Sequence, residues 1–461
     1  MTPGARLSAA AEVLDALARE RVPADEVLRA WGRAHRFAGS KDRRAIAERV
    51  YDALRARARV AWRMGADDGR ALVLGSLLEV DGLSAAEVEA LFTGEGHAPA
   101  PLSHDERARL TGPPPAPPAH VRAGVPAFVA ELLETGFGGE WEAEARALIG
   151  ARAPLDLRLN TLRGGREAAL RLLAVDGLEP AVTPWSALGL RLPAELAPDI
   201  GKTRAWLDGW VEVQDEASQV AAALAGAAPG MTVVDYCAGG GGKTLALAAM
   251  MGLRAAHSVA FGDSPPSGGA CEVAREAGGR GGSRLVACDV NAKRLAALAP
   301  RLARAGAAAE VRRMGAAGEG TADLEGRADL VFVDAPCSGS GTWRRHPEAA
   351  WRLTPETVAR LAELQGVILA RAARLVAPGG RLVYATCSVF AAENAEVADA
   401  FAVAHPQFRP LPVAEATDTP SLTPAARERL ASVAASGHRL QLTPRRTGTD
   451  GFFAALFTRA A

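Results

Sequence analysis

Lysine is nearly missing from this 461-residue chain: of 53 basic residues only Lys41, Lys202, Lys243 and Lys293 are lysines, leaving 49 arginines. Where almost every cation has become arginine, each surviving ammonium is a candidate for a task that a planar guanidinium does not perform. Cysteine is sparse as well. Cys237, Cys271, Cys288, Cys337 and Cys387 are odd in number and widely spaced, with no Cys-x-x-Cys pair, so neither a disulfide framework nor a metal cluster is indicated. Each is then a small buried side chain or a thiol kept for its chemistry. No apolar run approaches the ~20 residues of a membrane span, and the opening MTPGARLSAAAEVLDALARERV lacks the apolar core of a signal peptide. A cytoplasmic, monomeric protein with no membrane partner is expected. Net charge is absent too, with 53 acidic residues balancing the basic ones, so an anionic partner would have to meet a local basic surface. The 49% apolar and 23% charged composition is that of a globular protein, and the length allows about three domains of ~150 residues.

Residues 7–63 read as helical, with Leu14, Leu17, Val27, Leu28, Trp31, Ile46, Val50 and Leu54 three or four apart within each stretch. Ser40 before Lys41 and Asp42 resembles a helix N-cap. Residues 1–63 hold 14 Lys or Arg against 8 Asp or Glu, which fits a helical module that meets an anion through Arg43, Arg44 and Arg55, and fits equally a solvated face. Residues 98–118 contain seven prolines and read as a stiff linker, neither helix nor central strand. Residues 125–149 look helical, 155–162 and 188–192 look like strands around a helix at 166–175, and together these form a small α/β unit. Beyond about residue 206, β-rich runs at 231–236, 284–289, 330–334 and 381–385 alternate with helical stretches, the pattern of a doubly wound parallel sheet. Residues 252–283 carry eight glycines and no usable periodicity, and read as a mobile insertion.

The first of those strands runs MTVVDY into CAGGGGKT and an apolar helix. Strand, glycine turn and helix start together form a nucleotide-type binding site, because the glycines admit the ligand to the backbone and the helix amides hold its anionic part. A phosphate-binding P-loop needs a glycine five places before Gly242, and Cys237 stands there. The strand LVFVDAP nonetheless passes for the acidic strand of an NTPase. An adenosylmethionine pocket instead needs an acid after the second strand, and Asp289 in LVACDV supplies it. Cys337 in DAPCSGSGTWRRHPE and Cys387 in LVYATCSVFAAEN then lie at the C-terminal ends of adjacent strands, where an open sheet binds its ligand. One such cysteine is ordinarily core filler; two, each in a turn of small polar residues, point to chemistry.

At these motifs the chain resembles the Sun family of RNA cytosine-5 methyltransferases, and within it the bacterial small-subunit rRNA branch. VQDEASQVAA, VVDYCAGGGGKT, ACDVNAKRL, DLVFVDAPCSGSGTWRRHPEAAW, RLVYATCS followed by EN, and TPRRTGTDGFF carry the resemblance, which extends over nearly the whole chain. It implies a multidomain protein: an N-terminal all-α NusB-like RNA-binding domain over residues 1–97, a small α/β RNA-binding subdomain over 119–205, and a Rossmann-like adenosylmethionine-dependent methyltransferase domain over 206–461. Cys387 becomes the nucleophile that adds to carbon 6 of a cytosine, Cys337 the thiol that assists product release, and Asp334 the contact to the cytosine edge. S-adenosyl-L-methionine is the implied cofactor, cradled by Cys237, Ala238, Gly239, Gly240, Gly241 and Gly242. Lys243 would hold its carboxylate or orient Asp334, and Asp289 would take its ribose. Asn291 and Lys293 are expected to be solvated, while Asp215 and Glu216 start a helix. Trp343, Arg344, Arg345 and His346 would stack on bases or pair phosphates of the implied partner, an rRNA. Two departures stand out: Gly239-Gly240 replace the family's Ala-Pro, and Gly315 stands where the family places an acid near the adenine. A P-loop NTPase and a non-catalytic rRNA assembly factor are the rival readings.

Overall fold

A computed structural model describes residues 1–196, 198–255, 282–433 and 437–461 of the chain. Most of the glycine-rich stretch at 252–283, with Cys271, lies outside the described residues. The chain divides into two compact units, one of residues 1–152 with 339–355, the other of residues 153–338 with 356–461.

The first unit is helical. Its center is α1 (Pro3–Glu20), α2 (Ala24–Ala34), α3 (Ser40–Met64) and α4 (Gly69–Glu79). The helical spacing seen in the sequence becomes one core containing Val13, Leu14, Trp31, Ile46, Val50, Leu54 and Leu74. The cap of α3 is Gly39 rather than Ser40, and the Asp42 carboxylate accepts its amide at 3.3 Å. The proline-rich stretch holds a helix after all, His104–Thr111. Its prolines lie on either side, and Ser103 with Glu106 forms a capping box that starts the turn between them. Helices at Ala119–Ala123, Ala127–Phe137 and Trp141–Ile149 group with this unit, so the boundary falls after Arg152 and not before residue 119. Residues 339–355 pack here too. Ala24 N donates to the buried Glu348 carboxylate at 3.1 Å, Arg352 donates to Arg21 O at 3.2 Å, and the Arg57 guanidinium lies 4.9 Å from the Trp351 ring center. The segment that follows the Cys337 turn thus belongs to the helical unit by its own contacts.

The second unit contains two sheets. Strands β1 (Leu155–Leu159), β2 (Ala181–Val182), β3 (Gly189–Leu192) and β4 (Val211–Val213) form an antiparallel sheet in the order β2-β3-β1-β4, which extends past residue 205. The larger sheet uses β5 (Thr232–Asp235), β6 (Arg284–Asp289), β7 (Glu310–Arg313), β8 (Ala328–Asp334), β9 (Val376–Thr386), β10 (Phe408–Pro410), β11 (Arg439–Leu442) and β12 (Phe452–Arg459). Its order is β10-β12-β9-β8-β5-β6-β7, with β11 paired to β12. The run from β9 to β7 is parallel, but β12 is antiparallel to β9, β10 and β11. The sheet is thus mixed rather than wholly parallel. Apolar side chains cover both faces, Leu245, Leu285 and Phe332 on one and Val286, Val331 and Leu369 on the other, which explains why its strands read as continuous apolar runs. No helix among the described residues is long and apolar enough to cross a membrane.

Candidate active site

The glycine turn follows β5 and leads into the helix Gly242–Met250. Gly241, its N-cap, has φ of +86°, and a Cβ there would lie 2.0 Å from Leu298 Cδ1, so both backbone and packing demand glycine. The turn is fastened to β6, with Ala238 N donating to Cys288 O at 2.9 Å and Gly239 N to Asp289 Oδ2 at 2.8 Å. The other Asp289 oxygen accepts Asn291 N at 2.7 Å. Asn291 is engaged in turn, capping the next helix through the amides of Lys293 and Arg294, while the Lys293 side chain is exposed. Burial pushes the Cys237 thiol, in the turn, well above its ordinary range and that of Cys288, in β6, up to about 12.

Two acids and a lysine come next. Asp235, the last residue of β5, has no exposed surface; burial raises its carboxyl to about 7, against the pull of a hydrogen bond from Thr244 Oγ1 at 2.6 Å. Lys243 Nζ lies 2.6 Å from Asp334 Oδ2 and 4.8 Å from the Phe452 ring center. Burial would lower this ammonium, but Asp334 outweighs it and holds the pKa above the ordinary lysine value. Of the two tasks expected of Lys243, the geometry has it on Asp334. The same contacts disfavor a P-loop, in which the lysine and the hydroxyl must both face phosphate; here the Thr244 hydroxyl is buried on Asp235.

The cysteines meet because of strand register. Parallel pairing sets Asp334 of β8 opposite Ala385 of β9, so Cys337 and Cys387 emerge from neighboring strand ends. Their sulfurs are 3.3 Å apart, close enough for one thiol to donate to the other, and both residues are partly buried. Among expected site residues, Cys237 to Lys243, Asp289, Asp334, Cys337 and Cys387 all fall at the C-terminal ends of β5, β6, β8 and β9.

Other residues are placed differently from the sequence reading. Trp343 has no exposed surface and Arg344 only 6%, so Trp343 is a core residue rather than a platform for a base. Arg44 is exposed and paired with Glu48 at 2.9 Å, whereas Arg43 donates to Ala38 O at 2.9 Å and Arg55 is largely buried beside Asp52, where burial lowers its pKa. Asp215 caps its helix by accepting Ala217 N at 2.8 Å and also accepts Asp450 N at 3.1 Å. Glu216 does more than start that helix. It accepts Trp185 N and Ser186 N at 2.6 and 2.8 Å and faces Arg191, which also grips Asp156 at 2.6 Å. Two acids escaped the sequence reading. Glu319 folds back so that a Cβ on Gly315 would lie 2.1 Å from its Oε2, which puts a carboxylate at the position where the acid is lacking. The buried Glu393 accepts bonds from both cysteine turns. Only its place in the EN pair after the second cysteine motif marked it.

Residues 279–458 match the family model described as 16S rRNA methyltransferase RsmB/F. Ribosomal RNA small subunit methyltransferase B of Pseudomonas syringae pv. tomato is 32% identical over 343 residues, covering 74% of this chain and 67% of that protein. The corresponding protein of Pseudomonas putida is 33% identical, covering 74% of this chain and 68% of its own length. The chain belongs to the RsmB/F methyltransferase family. Among solved structures, PH0851 superposes with a TM-score of 0.71 at 24% identity, covering 99% of each chain. NSun6 from Pyrococcus horikoshii, solved with SFG, gives 0.57 at 16% identity over 73% of this chain and 98% of that one. These likenesses establish the Rossmann-like methyltransferase fold. As a member of the RsmB/F family the chain is a methyltransferase that uses S-adenosyl-L-methionine. The groups present fit that cofactor: amides at the start of the helix Gly242–Met250 suit its charged end, and the carboxylates of Asp289 and Glu319 are acceptors of the kind its hydroxyl and amino groups need.

Proposed function

We propose that this chain methylates carbon 5 of a cytosine in 16S rRNA through a covalent bond from Cys387 to carbon 6. The observation that carries the reading is the pair of thiols 3.3 Å apart at adjoining strand ends, in the sheet that also positions the Asp334–Lys243 pair and the glycine turn. Carbon 5 of cytosine is a poor nucleophile. Addition of the Cys387 thiolate to carbon 6 moves the ring electrons so that carbon 5 becomes enamine-like. Asp334, oriented by Lys243, holds the proton at ring nitrogen 3 that offsets the arriving charge. S-adenosyl-L-methionine supplies the methyl group as an electrophile. Loss of the carbon 5 hydrogen to a base re-forms the ring double bond as the carbon 6–sulfur bond breaks, and Cys337 assists that departure. The backbone from Cys237 to Gly242 and Asp289 hold the cofactor, with Glu319 taking the part of the acid missing at Gly315. The helical unit, read as NusB-like, and the small antiparallel sheet bind the RNA. An rRNA substrate makes the cytoplasm the site of action.

The test uses full chain, 16S rRNA and labeled cofactor. Cys387→Ser should lose methyl transfer, because a hydroxyl is too weakly acidic to provide the attacking anion. Cys337→Ala should accumulate an enzyme–RNA adduct that survives denaturant. Substantial transfer by Cys387→Ser, or an adduct with Cys387→Ala and none with Cys337→Ala, would reject the assigned roles.

A further inference from the structure

The two cysteine turns share one buried carboxylate. Glu393 has no exposed surface. Its Oε1 accepts Ser338 N at 2.8 Å and Gln365 Nε2 at 3.1 Å, and its Oε2 accepts the hydroxyls of Ser338 and Ser388, the latter at 2.6 Å. Ser338 directly follows Cys337, and Ser388 directly follows Cys387. The same cluster reaches the residue before Cys337, since Gln365 Nε2 donates to Pro336 O at 2.9 Å. Tyr384 OH donates to Gln365 Oε1 at 3.1 Å and to the Glu393 carbonyl, tying the cluster to β9. The carboxylate therefore tethers the chain one residue from each sulfur, through the amide and hydroxyl of Ser338 on one side and the hydroxyl of Ser388 on the other.

We propose that Glu393 is a positioning residue whose carboxylate fixes the spacing of the Cys337 and Cys387 sulfurs. Four donors converge on it, and an ionized carboxylate is the side chain with two acceptor oxygens, no donor and charge-assisted bonds. It does not act on the substrate: both oxygens are taken and the side chain has no path to solvent, so it is not the base that removes the carbon 5 hydrogen. The catalytic consequence rests on the cysteine roles proposed above; the geometric one does not. Glutamine can keep its oxygen on Ser338 N and Gln365 while the two hydroxyls rotate to accept its amide. Alanine removes the acceptor shared by the two turns and strands its donors, while the Ser388 backbone keeps its bonds to Thr386 and Asn394.

Two readouts on the full chain test this. The first is the rate at which Cys337 and Cys387 form a disulfide with diamide, which takes up the two electrons and two protons as the S–S bond forms; peptide mass spectrometry identifies the bond. Misplacing reacting atoms by about 1 Å costs up to ~100-fold, so Glu393→Ala should slow this reaction by at least about 10-fold, with Glu393→Gln within about 3-fold of wild type. The second is methylation, where Glu393→Ala should lower kcat by about 10- to 100-fold. KM for S-adenosyl-L-methionine should stay within about twofold, and Gln should restore most of the rate. Should Glu393→Ala not fold, the Ser338→Ala/Ser388→Ala double variant cuts both hydroxyl tethers, leaves the charge its amide donors, and is expected to move both readouts the same way. Unchanged disulfide rate and kcat in a folded Glu393→Ala protein overturn the proposal. A slowed disulfide alongside a Cys387→Ser protein that still methylates leaves the positioning in place and removes the nucleophile assignment. An unchanged disulfide rate with inactive Cys387→Ser does the reverse.

Discussion

Replacing Asp235 by asparagine should change how the stability of the sheet unit depends on pH. The carboxyl is wholly buried, one oxygen holds the Thr244 hydroxyl at 2.6 Å and the other has no partner. Burial raises its pKa from 3.8 to about 7. Between those values the native chain carries a proton that the unfolded chain has lost, so the native state binds more protons and stability falls as pH rises from about 4 to 7. Below about pH 4 both forms are protonated and the penalty vanishes; above 7 both are ionized and the full ~4 kcal/mol is felt. Between pH 5 and pH 8 the wild-type unit should lose roughly 2–3 kcal/mol, on the order of 100-fold in the opening equilibrium, relative to Asp235→Asn, which cannot ionize. Cys288, buried in β6 with no exposed surface, reports that opening. Its labeling by a dithiodipyridine, which reacts at acidic as well as neutral pH, can be followed by peptide mass spectrometry in both proteins. Taking the ratio of wild type to variant at each pH cancels the chemistry of the reagent. Equal ratios at pH 5 and pH 8 would show that Asp235 titrates alike in folded and unfolded chain and refute the reasoning.

Gly241→Ala should destabilize the sheet unit by about 2–5 kcal/mol, the sum of a left-handed backbone and an overpacked contact with Leu298, and weaken cofactor binding by calorimetry; a wild-type melting temperature would reject it. Glu319→Ala should weaken S-adenosyl-L-methionine by about 10- to 100-fold, the worth of one charge-assisted hydrogen bond, while the melting temperature stays put because the side chain is exposed. Unchanged affinity would return Glu319 to a turn-forming role. Arg44→Ala removes an exposed pair worth under about 1 kcal/mol, so thermal stability should barely move; if Arg44 contacts phosphate, the salt slope of rRNA binding should drop by about one. Arg55→Ala, at a mostly buried position, should lower the melting temperature whatever happens to RNA, and the two variants behaving alike would contradict their placement.

Wherever the determinant was local, the amino-acid sequence determined it. The run RLVACD is β6 residue for residue, and REAALRLLAV is the helix Arg166–Val175, because an apolar pattern of one period buries one face whatever the neighbors are. The glycine turn, Asp289 and both cysteine motifs were legible for the same reason: a strand that ends in a polar turn places that turn at the sheet's carboxyl edge. Partners distant in sequence were decided by tertiary structure alone. β12 inserts antiparallel beside β9, a pairing that no periodicity in FFAALFTR specifies. Lys243 settles on Asp334, 91 residues away, and Glu393 reaches Ser338 across 55. Trp343 looked like a surface aromatic among arginines and is fully buried. Glu319 supplies a carboxylate at Gly315 only because the turn between them folds back. Periodicity records which face a segment buries; the register that brings two segments together, and with it the 3.3 Å between two thiols, exists only once the sheet has closed around its core.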